Sequence, residues 1–342
     1  MRFFLKYFFL LLLSLAASTW LIPARYGLEY PQAAGPHFSN AIRTGHSTII
    51  DNQRVNVVLI GDSTLERSVD EDIFSETTGQ STHVISTPAS STALWYLVLK
   101  NAIIEGTHNK PEYVIILFRD TLLTLPNYHV DGGRVAEIDE YATAREDLVV
   151  QTAYLNFMNP LEIAAERYFP LYGTRQRIAD SVEYRTRSLL PDLFLPCKGE
   201  CVNRAITAVF FTIENIDPNF SEGFLMSEET RLYTRQAMDF DAQIERSFLP
   251  EIIRLARENN IQLIFVHART LTFPDAASLP EQLPAYKRDL AAYLEQNNIP
   301  LLDFSFDPRL PPEYFSDPLH MTEAGQNLFS RILGEAFLSL IH

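Results

Sequence analysis

The chain has 342 residues, 46% of them apolar, with 43 acidic side chains against 28 basic ones and a formal charge of −15. That length and apolar content suit a folded protein of one large domain or two modest ones. The acidic balance speaks against nucleic acid as a partner, because phosphate contacts need clustered Lys and Arg, and no internal repeat or low-complexity tract stands out.

Residues 1–24 open on Arg2 and Lys6 and continue through the uncharged run Tyr7–Ile22. Counted from Phe3 to Ile22, the segment would span about 30 Å as a helix, which matches a bilayer core if Lys6 snorkels. Two readings stay open. One is an uncleaved anchor in the cytoplasmic membrane, with Trp20 at the interface. The other is a secretory signal cut near Ser14-Leu15-Ala16. Basic residues ahead of the span place the body outside the cytoplasm in both, on the periplasmic or cell-surface side. Residues 25–54 read as a spacer.

Next come five short apolar runs: Val55–Ile60, His83–Ile85, Tyr113–Phe118, Gln262–Val266 and Pro300–Asp303. Each is rich in Val, Ile, Leu or Phe and bounded by polar or turn residues, the pattern of buried parallel strands. Helical spacing marks Thr92–Glu105 with Gly106 as a stop signal, Ser227–Asn259 broken at Pro250, Pro280–Asn297, and Thr322–Leu340. The alternation predicts an α/β fold, a doubly wound, flavodoxin-like parallel sheet of five strands with ligands at the strands' carboxyl ends.

The third and fourth strands lie too far apart for an ordinary crossover. Residues 121–225 therefore read as an insertion, a lid or partner-facing subdomain, and the body as 55–120 with 226–342. The insertion has helix-like stretches at Pro160–Tyr168 and Tyr172–Leu190. It also holds Cys197 and Cys201, which in an oxidising compartment suit a small disulfide loop, with free thiols as the alternative. Zinc is disfavoured, since no second Cys or His pair sits at ligand spacing.

Chemistry concentrates at two places. Gly61-Asp62-Ser63 follows the first strand, so Ser63 falls where strand gives way to helix and its hydroxyl meets the carboxyl edge of the sheet. A serine hydroxyl is a weak nucleophile until a base takes its proton. Asp317-Pro318-Leu319-His320 supplies the best base in His320 and, in Asp317, an acid able to fix its tautomer. Alone, each is ordinary: Ser63 could cap a helix, and Asp-x-x-His could be a surface loop. Asp303 and Asp307 are rival acids. Together the two motifs specify serine-based acyl chemistry.

In these motifs the chain resembles the SGNH (GDSL-type) hydrolase and acyltransferase superfamily, over Val55–Leu99, Tyr113–Asp120 and Gln262–Leu340. The resemblance implies Ser63 as nucleophile, its N–H as an oxyanion donor, and Asp317 with His320 as the remaining pair. The middle motifs depart from the family pattern. In Ser86-Thr87-Pro88-Ala89-Ser90-Ser91, Ala89 stands where the family has a glycine whose N–H helps form the oxyanion hole. In Leu117-Phe118-Arg119-Asp120, Arg119 replaces an asparagine donor. Either its guanidinium takes over that role or it pairs with Asp120 or another acid. Asp62 and Ser90 beside these donors are expected substrate contacts, while His267 and Arg269 after the fourth strand either contact a sugar hydroxyl or carboxylate at the same edge or serve the structure. His129 in the insertion is a further candidate for the cleft.

The membrane segment and the insertion narrow the resemblance to the membrane-anchored branch that includes alginate O-acetyltransferase components and the D-alanyl transfer protein of teichoic acid synthesis. That branch implies an acyl donor, a glycan acceptor and a separate multi-spanning (MBOAT-type) acyltransferase partner. No Walker loop, dinucleotide fingerprint or metal-ligand cluster is found, so no cofactor or metal is expected. Three functions follow: an extracytoplasmic O-acyltransferase, an esterase with water as acceptor, and an inactive glycan-binding scaffold.

Overall fold

The computed structural model describes residues 2–27, 29–39, 42, 44–143, 146–169, 172 and 229–341. Five parallel strands, β1 (Val57–Gly61), β2 (Thr82–Ser86), β3 (Tyr113–Phe118), β4 (Gln262–His267) and β5 (Leu301–Asp303), form one sheet in the order β2-β1-β3-β4-β5. Ile60 pairs with Ile85 and Ile116, and Ile116 in turn with Phe265. Successive side chains of a strand point to opposite faces, and here both faces are covered. Val57, Leu59, Ile115, Leu117, Ile264 and Val266 enter one core, while Val58, Ile60, Val114, Ile116, Leu263 and Phe265 enter the other. That double burial is why the strands read as unbroken apolar runs.

Among the described residues, the α-helices of five residues or more are α1 (Arg2–Tyr26), α2 (His46–Gln53), α3 (Ser63–Ser68), α4 (Glu71–Thr78), α5 (Thr92–Leu97), α6 (Arg134–Asp139), α7 (Pro160–Tyr168), α8 (Phe240–Ile244), α9 (Leu249–Glu258), α10 (Leu283–Gln296) and α11 (Glu323–Ile341). Leu65 of α3, Phe74 of α4 and Phe329 and Phe337 of α11 cover one face. Ile50 of α2, Trp95 of α5, Ile252 of α9 and Leu290 of α10 cover the other. This is the doubly wound layer expected from the sequence.

Some segments differ from expectation. The region 227–259 is not one broken helix but a 3₁₀ turn (Thr230–Tyr233) followed by α8 and α9. Pro250 lies in the first turn of α9, where its missing N–H leaves no hydrogen bond unmade. The stretch read as a spacer contains α2, whose Ile50 is fully buried. The start of the stretch read as an insertion also belongs to the body, because Leu122, Leu123, Tyr128, Ile138 and Val149 enter the same core. Cys197 and Cys201, and nearly all of Tyr172–Leu190, lie outside the described residues.

The chain divides into two compact units, Met1–Pro36 with Leu155–Glu229, and His37–Tyr154 with Thr230–His342. The first contains α1, which is long and apolar enough to cross a membrane and is largely exposed. It also contains α7, opened by a capping box. Asn159 Oδ1 accepts from the Glu162 N–H and Glu162 Oε2 from the Asn159 N–H, each at 2.9 Å. The second unit contains the sheet and everything described next.

Candidate active site

Gly61 ends β1 because α3 packs immediately against it. A Cβ there would lie 2.6 Å from Leu65 Cβ and 3.1 Å from the Leu117 carbonyl oxygen. Asp62 then caps α3, its Oδ1 accepting from the Thr64 N–H at 2.8 Å. Ser63 becomes the first helical residue and is half-buried at the carboxyl end of the sheet. The other Asp62 oxygen lies 3.6 Å from Nε of Arg119, just beyond β3, and both side chains are buried.

The C-terminal motif forms a tight loop. Phe315 and Met321 make an antiparallel bridge, and the Ser316 N–H donates to the His320 carbonyl at 2.9 Å. Inside the loop, Asp317 Oδ1 accepts the N–H groups of Leu319 and His320 at 2.8 and 2.9 Å. The loop is tied to the exit of β4 by Leu271 N–H donating to the Pro318 carbonyl at 2.7 Å. It is tied to α11 at Gly325, where a Cβ would stand 2.4 Å from the Tyr314 carbonyl oxygen.

This loop brings His320 onto Ser63. Nδ1 of His320 is 2.8 Å from Asp317 Oδ2, and Nε2 is 2.9 Å from Ser63 Oγ. With Nδ1–H donating to the carboxylate, Nε2 presents its lone pair to the hydroxyl. Burial works to raise the Asp317 carboxyl, but the Leu319 N–H, the His320 ring and the His320 N–H outweigh it and hold the group below its ordinary range. A fixed carboxylate, an oriented imidazole and a serine hydroxyl in hydrogen-bond reach can together move a proton off the serine and back.

The other expected site residues are distributed differently. Ala89 occupies a turn in which the Ser90 N–H donates to the Thr87 carbonyl at 3.1 Å, and the Thr87 N–H is held by the Gly61 carbonyl at 3.1 Å. Its φ of 54° is left-handed, a conformation that glycine adopts freely and that alanine, with its methyl group, seldom does. Ser90 is a latch: its hydroxyl donates to the Gly61 carbonyl at 3.3 Å and accepts from Trp95 Nε1 at 2.9 Å. Arg119 faces Asp62, not Asp120, whose carboxylate accepts the Tyr233 hydroxyl at 2.7 Å.

His267 is buried against Phe118, ring centroids 5.0 Å apart, and bonded to Asp303 and the Asp120 N–H. Arg269 is buried too, its Nη1 donating to the Asp307 carbonyl at 3.1 Å. The rival acids are committed elsewhere, Asp303 to His267 and Asp307 to Arg309. His129, at φ 49°, stacks on Tyr128 and lines a small cavity with Ser90 and Arg134. The geometry thus gathers Ser63, His320 and Asp317, with Asp62 and Arg119 behind them. The side chains of Ser90, His267 and Arg269 make internal contacts, which for His267 and Arg269 is the structural one of the two readings.

Sequence reasoning missed the partners of Arg119 and His267. The one available signal was a cation after an all-apolar strand, beside the strand that Asp62 follows. Among the described residues, no group of three His, Cys, Asp or Glu is placed to hold a metal ion.

No family model matches the chain, and no curated protein matches it. Two solved structures are distantly similar. One is a Bacteroides fragilis protein assigned as an acylhydrolase, 13% identical, covering 85% of this chain and 90% of its own, with a TM-score of 0.37. The other is a GDSL-like lipase from Bacteroides thetaiotaomicron, 11% identical, covering 83% and 88%, with a TM-score of 0.35.

Proposed function

We propose that this chain is a serine-dependent O-acyltransferase of the SGNH type that acts outside the cytoplasm, moving an acetyl or similar acyl group onto a glycan. The single observation that supports it most is the chain of hydrogen bonds in which the Ser63 hydroxyl meets His320 Nε2 at 2.9 Å and His320 Nδ1 meets Asp317 at 2.8 Å. In this reading His320 Nε2 takes the Ser63 proton as Oγ attacks the acyl carbonyl of the donor. The developing oxyanion is met by the N–H groups of Ser63 and Ala89. The protonated His320 then gives its proton to the leaving group, and an acyl-serine remains. A glycan hydroxyl, deprotonated by the same Nε2, attacks that ester and regenerates Ser63.

The apolar α1 fits a membrane anchor or a signal segment; as an anchor it suits the membrane-anchored branch, in which a separate multi-spanning acyltransferase would supply the acyl groups. Water as the acceptor is the second reading. The exposure of the Asp317 and His320 side chains, 48% and 28%, favours it, since an open site admits water to the acyl-serine.

Intact-mass analysis of the protein mixed with an activated acyl ester tests both. An acyl adduct on Ser63 that persists until a glycan is added supports transfer. Prompt loss of the adduct without acceptor supports hydrolysis. A protein that neither acylates nor reacts with a serine-directed probe is a scaffold, and the enzymatic reading fails.

A further inference from the structure

At the carboxyl edge of the sheet stands another Asp–His pair, Asp303–His267, and the proposed chemistry makes no use of it. His267 ends β4, is 4% exposed and lies parallel to Phe118. Its Nδ1 is 3.1 Å from Asp303 Oδ1. That carboxylate is itself fixed by the Ser305 N–H and hydroxyl at 2.9 and 2.6 Å and by Lys287 at 3.3 Å. Nδ1 therefore carries the proton, and Nε2 is left as an acceptor. What it accepts is the backbone N–H of Asp120, at 3.0 Å.

Asp120 is an unusual residue to hold. Its φ of 47° is left-handed, a conformation that side chains other than Asn and Asp seldom adopt and that needs local hydrogen bonds to hold it. Its N–H is gripped by His267 and its carboxylate by the Tyr233 hydroxyl. The residue just before it is Arg119, whose guanidinium reaches back to Asp62, the cap of α3 and the immediate neighbour of Ser63.

We infer that His267 is a positioning residue: by accepting the Asp120 N–H it holds the turn that aims Arg119 at Asp62, and so sets the angle at which Ser63 enters α3. This rests on the proposed role of Ser63. The pair is not a second catalytic dyad, because its outer nitrogen is filled by a backbone amide and the ring is buried.

Two amide substitutions separate the ring's two nitrogens. His267→Asn can keep the bond to Asp303 but offers nothing to the Asp120 N–H. His267→Gln reaches the Nε2 position with an acceptor. In the full-length protein, His267→Asn is expected to speed hydrogen exchange in the peptide containing residues 119–121. It should also slow labelling of Ser63 by a fluorophosphonate roughly 10- to 100-fold, the cost of a small misplacement near a nucleophile. His267→Gln should recover most of both.

In an Arg119→Met background, His267→Asn should add little further slowing, because its effect runs through the guanidinium. Should His267→Asn not fold, Asp303→Asn, which releases the tautomer without touching Asp120, is expected to move the same readouts in the same direction. Unchanged exchange at 119–121 would overturn the inference outright. Changed exchange with unchanged labelling, or equal slowing with and without Arg119, would overturn the link to Ser63. If the wild-type protein never labels at Ser63 while exchange responds as expected, it is the enzymatic reading that fails, and any role in aiming a nucleophile goes with it.

Discussion

Two Asp–His pairs stand at the carboxyl ends of the strands, alike in chemistry and opposite in use. Asp317–His320 sits on a loop after the sheet, partly exposed, and its outer nitrogen meets a serine hydroxyl. Asp303–His267 is built on β5 and β4, its ring buried, and its outer nitrogen meets a backbone amide. Both carboxylates lie below their ordinary range. Burial opposes this in each, and it is overcome at Asp317 chiefly by backbone N–H groups and at Asp303 chiefly by the bond from His267. The lesson is that an imidazole oriented by a carboxylate is only a holder of a lone pair. Whether that lone pair is a base or a strut depends on what the fold sets in front of it.

Removing what each pair faces should break this comparison most visibly. Ser63→Ala should lower acyl transfer by on the order of 10⁴ or more, with the melting temperature little changed. Asp317→Asn should also cost several orders of magnitude but fall short of that, since the hydroxyl and ring remain. Steady-state rates on an activated ester check both. A Ser63→Ala protein with normal turnover would reduce the two pairs to structural equivalents.

Stability should respond at the buried side. Arg119→Met strands the Asp62 carboxylate in the interior and should cost about 3 kcal/mol, read as a lowered urea midpoint. Asp62→Asn keeps a capping side chain and should cost less. A loss from Arg119→Met within error of zero would mean that the ion pair contributes little to holding β1, β3 and α3 together.

Acid should weaken both pairs, with a defined sign. Asp303 and Asp317 have folded pKa values below their ordinary 3.8, so the stability they contribute is complete above that value and drains as pH falls through the folded ones. Urea midpoints should therefore drop from pH 6 toward pH 3, and Asp303→Asn should flatten that drop. An unchanged slope in the variant would remove Asp303 from the account. The smallest effect is expected at Ala89→Gly, where relief of the left-handed strain and the greater freedom of an unfolded glycine nearly cancel, for a net change of about 1 kcal/mol or less.

Much of this architecture is written in local pattern. The apolar runs mark all five strands to within about two residues, the usual uncertainty of element boundaries, because parallel strands buried on both faces must be continuously apolar. The exit of β1 and the Asp-x-x-His loop are likewise legible, since a serine at a strand end and a histidine three residues after an aspartate are local motifs. Less legible were α2 and the packing of residues 122–153. Their few apolar side chains look like linker until the sheet offers a face to cover.

Local pattern alone marks the alternation of strand and helix, the Gly-Asp-Ser exit of β1, the Asp-x-x-His loop and the apolar N-terminal helix, since each depends on residues near one another or on a repeating period. Only the tertiary structure decided that Arg119 faces Asp62, that Ser90 is a latch, and that His267 spends its lone pair on Asp120. Those outcomes depend on which groups from distant strands arrive at the same buried spot. There, most polar atoms find a partner, and no spacing along the chain records which one it is.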